Sequence, residues 1–389
     1  MEKLYEFMLK QLDETRTEFV RYKYADIHWE NRMLGLVGPR GVGKTTLFLQ
    51  HIKKNHSLRD TLYVTADHLY FSTHTLFDLA EDFNKNGGKY LFIDEVHKYA
   101  NWSQELKLMY DAFPDMHIYF TGSSILDIEK GEADLSRRAP KYMMQGLSFR
   151  EFLAIRHQIE IPALSLEQIL NHEAKIPGVS HPLPYFKQYL KEGYYPFGED
   201  LDFNLELNQV IARTIEVDIP QFAGMNIATA RKLKKLMAIL AVLVPYKPNM
   251  SSLGSQIQAS RNNVEDYLVF MEKAGLLAQL RDGTGGLGEL GKVEKVYLDN
   301  TNLMYCLGEG EEDAGTLRET FFLNQMRVNQ KVVSSSISDF EIKGKTFEVG
   351  GRSKGKKQIT DAKEGYVVKD DIEYGYGNVI PIWAFGLNY

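Results

Sequence analysis

The chain has 389 residues, 44% of them hydrophobic and 25% charged, with a formal net charge of −6. That length exceeds one typical core and predicts two or three domains, while the acidic balance excludes a global basic field, so any nucleic-acid site must be a local patch. The single cysteine, Cys306, excludes an internal disulfide, reads as a small buried side chain and suits a reducing cytoplasm, the expected location.

The first 20 residues, MEKLYEFMLKQLDETRTEFV, are charged throughout and have no apolar core, which argues against a secretory signal. The longest apolar run, LMAILAVLV, is about half of what a bilayer span needs and reads as a buried helix, so no membrane partner is expected.

Residues 1–30 carry apolar side chains at helical spacing. MLGLVG then reads as a strand running into a glycine-rich turn, and LFLQHIKKN as the helix after it. LYVTAD is a second strand, TLFDLAEDFNKNGG a helix stopped by glycines, KYLFIDEVH a third strand, and HIYFTGSS a fourth. Such alternation predicts an α/β unit, a parallel sheet with helices on both faces.

The turn after the first strand, GPRGVGKT, fits G-x-x-x-x-G-K-[ST], the loop that wraps backbone N–H groups around phosphates at a helix start. Gly38, Arg40, Gly41, Val42, Gly43, Lys44, Thr45 and Thr46 are the expected contacts of a nucleoside triphosphate. Lys44 would reach the β- and γ-phosphates, and Thr45 would offer its hydroxyl to Mg²⁺. Arg40 either steers phosphate or faces solvent.

The third strand ends in Asp94 and Glu95. Asp94 is expected to hold the metal through water, and Glu95 to polarise the attacking water. At the end of the fourth strand Ser123 is the expected water- or phosphate-sensing residue, with Thr121 and Ser124 as neighbours able to do the same. Arg138, with Arg137 beside it, is the candidate for stabilising transition-state charge, in cis or across a subunit boundary.

After residue 145 the alternation stops. LSFREFLAIR and SLEQILNHEA read as helices, GYYPFGED as a break, and about 203–274 as a further helical set. GLLAQLRDGTGGLGELGKVEKVYLDN reads as two strands around a glycine-rich turn. Helix, helix, helix and hairpin form a winged-helix order, with Ser260 as an N-cap and Arg261, Asn262 and Asn263 at the start of the third helix, where they could meet DNA. Glu265, Asp266 and Glu272 on the same helix would repel phosphate, and packing alone is the competing role.

The last part opens with a helix carrying Glu319, followed by strands carrying Asp339 and Glu348. Those three carboxylates are the ligand set of a restriction-endonuclease-like α+β core. The chemistry usually needs Glu-x-Lys, and Gly350 stands at the lysine position. Lys354, Lys356 or Lys357 would have to substitute, or the site keeps only the fold. Asp370-Asp371 reads as a strand-end turn, and Trp383 and Phe385 as buried.

GPRGVGKTT, YLFIDEVHKYANW, YFTGSS, the arginine pair and GLSFREFL follow one another at spacings that resemble a prokaryotic AAA-type ATPase family within the signal-transducing and archaeal ATPase groups. Arg137 stands where that family usually has glycine, and Gly146 where it has proline. The resemblance implies ATP rather than GTP, a winged-helix middle and a nuclease-like end. The expected domains are 1–200 (P-loop ATPase with a helical lid), 201–315 (helical, winged helix) and 316–389 (restriction-endonuclease-like). The expected function is Mg²⁺-dependent ATP hydrolysis by a switch or motor acting on DNA or a protein partner, as a monomer or an oligomer. The alternatives are an ATP-gated Mg²⁺-dependent nuclease and a nucleotide-dependent scaffold.

Overall fold

The computed structural model describes residues 1–123, 135, 137–283, 291–308, 310, 312–355 and 357–389. Ser124, Lys356 and most of the glycine-rich turn of the hairpin lie outside the described residues, as does the side chain of Lys357. The chain divides into two compact units, Met1–Gln145 and Gly146–Tyr389.

In the first unit, helix α1 (Glu2–Glu14) buries Leu4, Met8 and Leu12, a stripe at four-residue spacing. The rest of residues 1–30 is not a second helix; only a short 3₁₀ turn, Tyr22–Asp26, forms there. Strands β1 (Met33–Gly38), β2 (Thr61–Thr65), β3 (Tyr90–Asp94), β4 (His117–Ser123) and β5 (Lys141–Met143) make one parallel sheet in the order β2-β3-β4-β1-β5. Every residue of β1 is buried, as continuous apolar strands in a sheet covered on both faces must be. Helices α2 (Lys44–Asn55), α3 (Leu76–Lys85) and α4 (Trp102–Ala112) connect the first four strands. The chain leaves β1 for the far edge of the sheet and returns beside it, so the carboxyl ends of β1, β3 and β4 border the crevice where open α/β sheets take ligands.

The second unit begins with α5 (Phe149–His157), α6 (Leu166–Leu170) and α7 (Leu183–Glu192). A capping box starts α5: the Ser148 hydroxyl accepts from the Glu151 N–H at 3.0 Å, and Glu151 accepts in return from the Ser148 N–H. Next come α8 (Phe203–Arg213), α9 (Ile219–Ala223), α10 (Ile227–Leu243), α11 (Met250–Ile257) and α12 (Arg261–Lys273). The antiparallel pair β6 (Leu277–Arg281) and β7 (Val293–Leu298) follows, then α13 (Thr301–Leu307) and α14 (Ala314–Met326). A second five-stranded sheet has the order β12-β11-β10-β9-β8. Its strands are β8 (Val332–Ser334), β9 (Phe340–Ile342), β10 (Lys345–Gly350), β11 (Gly365–Lys369) and β12 (Val379–Pro381). They run antiparallel from β8 to β10 and parallel from β10 to β12.

The expected boundaries near 200 and 315 do not coincide with this division. Aromatic side chains explain why. Phe149, Phe152, Phe186 and Tyr189 from the helices after residue 145 share one core with Phe321, Phe347, Trp383 and Phe385 from the carboxyl-terminal part. The Phe186 and Phe321 rings meet edge to face at 4.8 Å. Ala278, Leu280 and Tyr297 of the β6–β7 hairpin belong to the same core, so the segment that read as a wing is part of it. Cys306 is half-buried rather than buried, and Asp370 and Asp371 follow the end of β11 as expected. Among the described residues no helix is long and apolar enough to cross a membrane.

Candidate functional site

The loop between β1 and α2 is held open by its glycines. Gly41 and Gly43 adopt φ of 82° and 95°, backbone that side chains rarely tolerate. A Cβ on Gly38 would stand 2.2 Å from the Met144 carbonyl oxygen. Val42 is fully buried and anchors the loop, and its carbonyl accepts from Arg21 Nη1 at 2.6 Å. Lys44 Nζ donates to the carbonyls of Gly38 (2.8 Å) and Pro39 (2.7 Å), which folds it back over the loop. Thr46 is exposed on the first turn of α2.

Thr45 Oγ1 donates to Asp94 Oδ2 at 2.7 Å, joining the loop to the end of β3. Asp94 is only 4% exposed, and a buried carboxylate needs partners. Tyr63 of β2 supplies one at 2.9 Å and Thr121 of β4 another. Burial, with the Asp94 charge beside it, raises the Tyr63 hydroxyl pKa and keeps it a donor. Thr121, not Ser123, is therefore the residue of the β4 end that touches Asp94. Ser123 pairs in register with Gly38.

Glu95 sits at φ 51°, with its N–H donating to Thr121 Oγ1 at 3.0 Å. Its carboxylate is ion-paired with Lys98, which also holds Asp67 at 2.6 Å, and lies 3.6 Å from Arg40 Nη1. Burial pushes the Glu95 carboxyl up. The hydrogen bond and charge of Lys98, with Arg40 and His97, outweigh burial and hold it below the ordinary range. Tyr63, Lys98 and Asp67 were not singled out from the sequence. Lys98, three residues after Glu95, was the one findable from spacing.

Arg138 Nε and Nη2 each lie 3.1 Å from an oxygen of Asp111 on α4, while Arg137 is exposed. These loops and strand ends fit a triphosphate with its metal ion: a glycine cradle, a lysine, and a hydroxyl–carboxylate pair at its edge.

In the second unit the candidate carboxylates meet, and lysines come with them. Lys295 Nζ of β7 donates to Glu319 Oε2 at 3.0 Å and to Asp339 Oδ1 at 3.5 Å. Tyr297 donates to the same Glu319 oxygen at 2.6 Å. Glu348 is ion-paired with Lys354 and accepts from Ser338. Burial first, then the Glu319 charge, raises the Asp339 carboxyl to about 6. Lys295 and Tyr297 lie 24 and 22 residues from Glu319, and no local pattern marks them.

At the start of α12, Arg261, Asn262 and Asn263 are exposed. Ser260 caps that helix, accepting from the Asn263 N–H at 3.2 Å, and Arg261 pairs with Glu265 at 3.0 Å.

Residues 30–153 match a family model described as an AAA domain, and residues 184–317 match a domain of unknown function, DUF8612. The first match supports a P-loop, AAA-type nucleotide-binding ATPase domain in this part of the chain. An uncharacterised protein of Methanocaldococcus jannaschii is 26% identical over 271 residues, 64% of this chain. The matched stretch spans 57% of that curated relative's length. Among solved structures, the S. cerevisiae Hsp104–ADP complex aligns with a TM-score of 0.32 and 15% identity, covering 69% of this chain and 41% of that one. C. elegans PCH-2 aligns with a TM-score of 0.25 and 14% identity, covering 70% and 67%.

Proposed function

We propose that the chain is an ATP-hydrolysing switch, with its catalytic site in the first unit. The observation that carries this reading is the 2.7 Å bond between Thr45 and Asp94, which sets a hydroxyl and a carboxylate side by side at the mouth of a glycine loop.

Lys44 exchanges its two loop carbonyls for the β- and γ-phosphates, and the N–H groups of the loop bind the same oxygens. Thr45 and Asp94 would hold Mg²⁺, which would neutralise phosphate charge. Tyr63 and Thr121 fix the Asp94 carboxylate. Lys98 and Arg40 keep Glu95 ionised in the resting site; once they release it, Glu95 orients and deprotonates the attacking water, its burial then favouring uptake of the proton. Arg40 is near enough to Glu95 to pass between it and the γ-phosphate. Ser123 senses that phosphate from the end of β4. Arg138 stabilises transition-state charge after leaving Asp111, in cis or from a neighbouring copy in an oligomer.

The second unit is the part that acts on a partner. Arg261, Asn262 and Asn263 are exposed at a helix start beside an antiparallel hairpin, which supports a winged-helix contact with DNA. Core packing of the hairpin supports a protein partner instead. Phosphate release measured with and without duplex DNA separates them. Stimulation of the wild type that is lost in Arg261→Ala supports DNA; indifference supports a protein. A Lys44→Ala chain that turns over ATP at the wild-type rate would overturn the catalytic assignment itself.

A further inference from the structure

Glu319 on α14, Asp339 just ahead of β9 and Glu348 in β10 are the three carboxylates that the sequence offers as ligands of a divalent ion in a nuclease-like core. Such an ion needs several carboxylate oxygens converging on one point, at about 2.0–2.1 Å for Mg²⁺. The residues present do not fit one. Among the described residues no group of three His, Cys, Asp or Glu side chains is placed to hold a metal ion. Oxygens of all three carboxylates are already engaged. Lys295 Nζ bridges Glu319 Oε2 (3.0 Å) and Asp339 Oδ1 (3.5 Å), Tyr297 takes Glu319 Oε2 at 2.6 Å, and the Val349 N–H takes Asp339 Oδ2 at 3.0 Å. Glu348, 1% exposed, is ion-paired with Lys354 and accepts from Ser338.

We propose that Lys295 is a built-in cation standing where a metal ion would otherwise be required, so that the cluster fastens the β6–β7 hairpin to the carboxyl-terminal sheet instead of catalysing metal-dependent cleavage. The geometry gives the ammonium group two ties. One reaches the helix that lies across the sheet, and the other reaches the turn entering β9. Apolar packing runs beside them: Tyr297, two residues along β7, meets the Phe340 ring at 6.2 Å. A half-buried carboxylate pair repels unless a cation lies between its members, and here the chain supplies that cation itself. The lysine absent at Gly350 is thus not replaced by a catalytic one. Lys354 pairs with Glu348, and Lys295 bridges the other two.

The test is Mn²⁺ bound per chain, by equilibrium dialysis on the full nucleotide-free protein. Wild type and Asp339→Asn should bind the same number of ions, because the cluster contributes none. Lys295→Met should bind one ion more than wild type. That extra ion should disappear in Lys295→Met combined with Asp339→Asn. Loss of one bound ion on going from wild type to Asp339→Asn overturns the proposal, and so does a folded Lys295→Met that gains nothing. If Lys295→Met does not fold, the comparison of wild type with Asp339→Asn still decides it.

Discussion

Thr45 Oγ1 and Asp94 Oδ2 lie 2.7 Å apart, a bond between residues 49 positions apart that closes the phosphate loop onto the end of β3. The loop and the strand end thereby become one site, and both partners should answer to Mg²⁺. Thr45→Ala should raise the Mg²⁺ concentration for half-maximal ATP turnover roughly 10- to 100-fold, and Asp94→Asn should do the same. Because they act on one ion, the double variant should cost less than the product of the two single effects. Multiplicative losses would show that the pair does not work together.

Tyr63 carries a prediction that sequence inspection did not reach. Its hydroxyl is one of three side-chain donors to the buried Asp94 carboxylate. Tyr63→Phe should lower unfolding stability by about 1.5–3 kcal/mol, the usual worth of a hydrogen bond to a charged group. Urea denaturation measures it, and an unchanged midpoint would remove Tyr63 from the site.

Lys98 holds Glu95 ionised. In Lys98→Met the burial of Glu95 should dominate and its carboxyl pKa should rise. The acid limb of the kcat/KM profile should then move to higher pH, since the base works only when ionised. An acid limb that stays in place would mean that Glu95 is not the base or that Lys98 does not tune it.

His51 predicts how the first unit responds to acid. It is 5% exposed, stacked on Trp29 with ring centroids 3.7 Å apart, and bonded to Tyr24 at 2.7 Å. Burial, then the neighbouring His56, pushes its pKa down to about 3. The folded state therefore keeps it neutral while the unfolded chain takes up a proton below about 6.5. Its contribution is fully present above that pH and is lost as pH falls toward 3, at up to about 1.4 kcal/mol per pH unit. The urea midpoint should fall less steeply between pH 6.5 and 4 in His51→Gln than in wild type; parallel slopes would contradict it.

The parts legible in the sequence were those written in consecutive residues. Gly38 to Thr45 fixes loop, helix start and phosphate chemistry within eight positions, and Asp94-Glu95 announces itself by ending an apolar strand. The short strand Lys141–Met143 was missed because its side chains are only half-buried and form no apolar run. The change at residue 145 was legible as the end of the alternation, but the aromatic residues at 149–189 reveal only that they need a partner and not which one. Only the structure pairs Phe186 with Phe321. Lys295 was missed for the same reason: its two acidic partners are 24 and 44 residues away.

The central claim is that Glu95 activates the water that attacks ATP. Steady-state phosphate release by Glu95→Gln, measured beside ATP binding by the same protein, tests it most directly. The account predicts binding close to wild type with turnover reduced at least about 100-fold. Turnover at the wild-type rate with intact binding would contradict it.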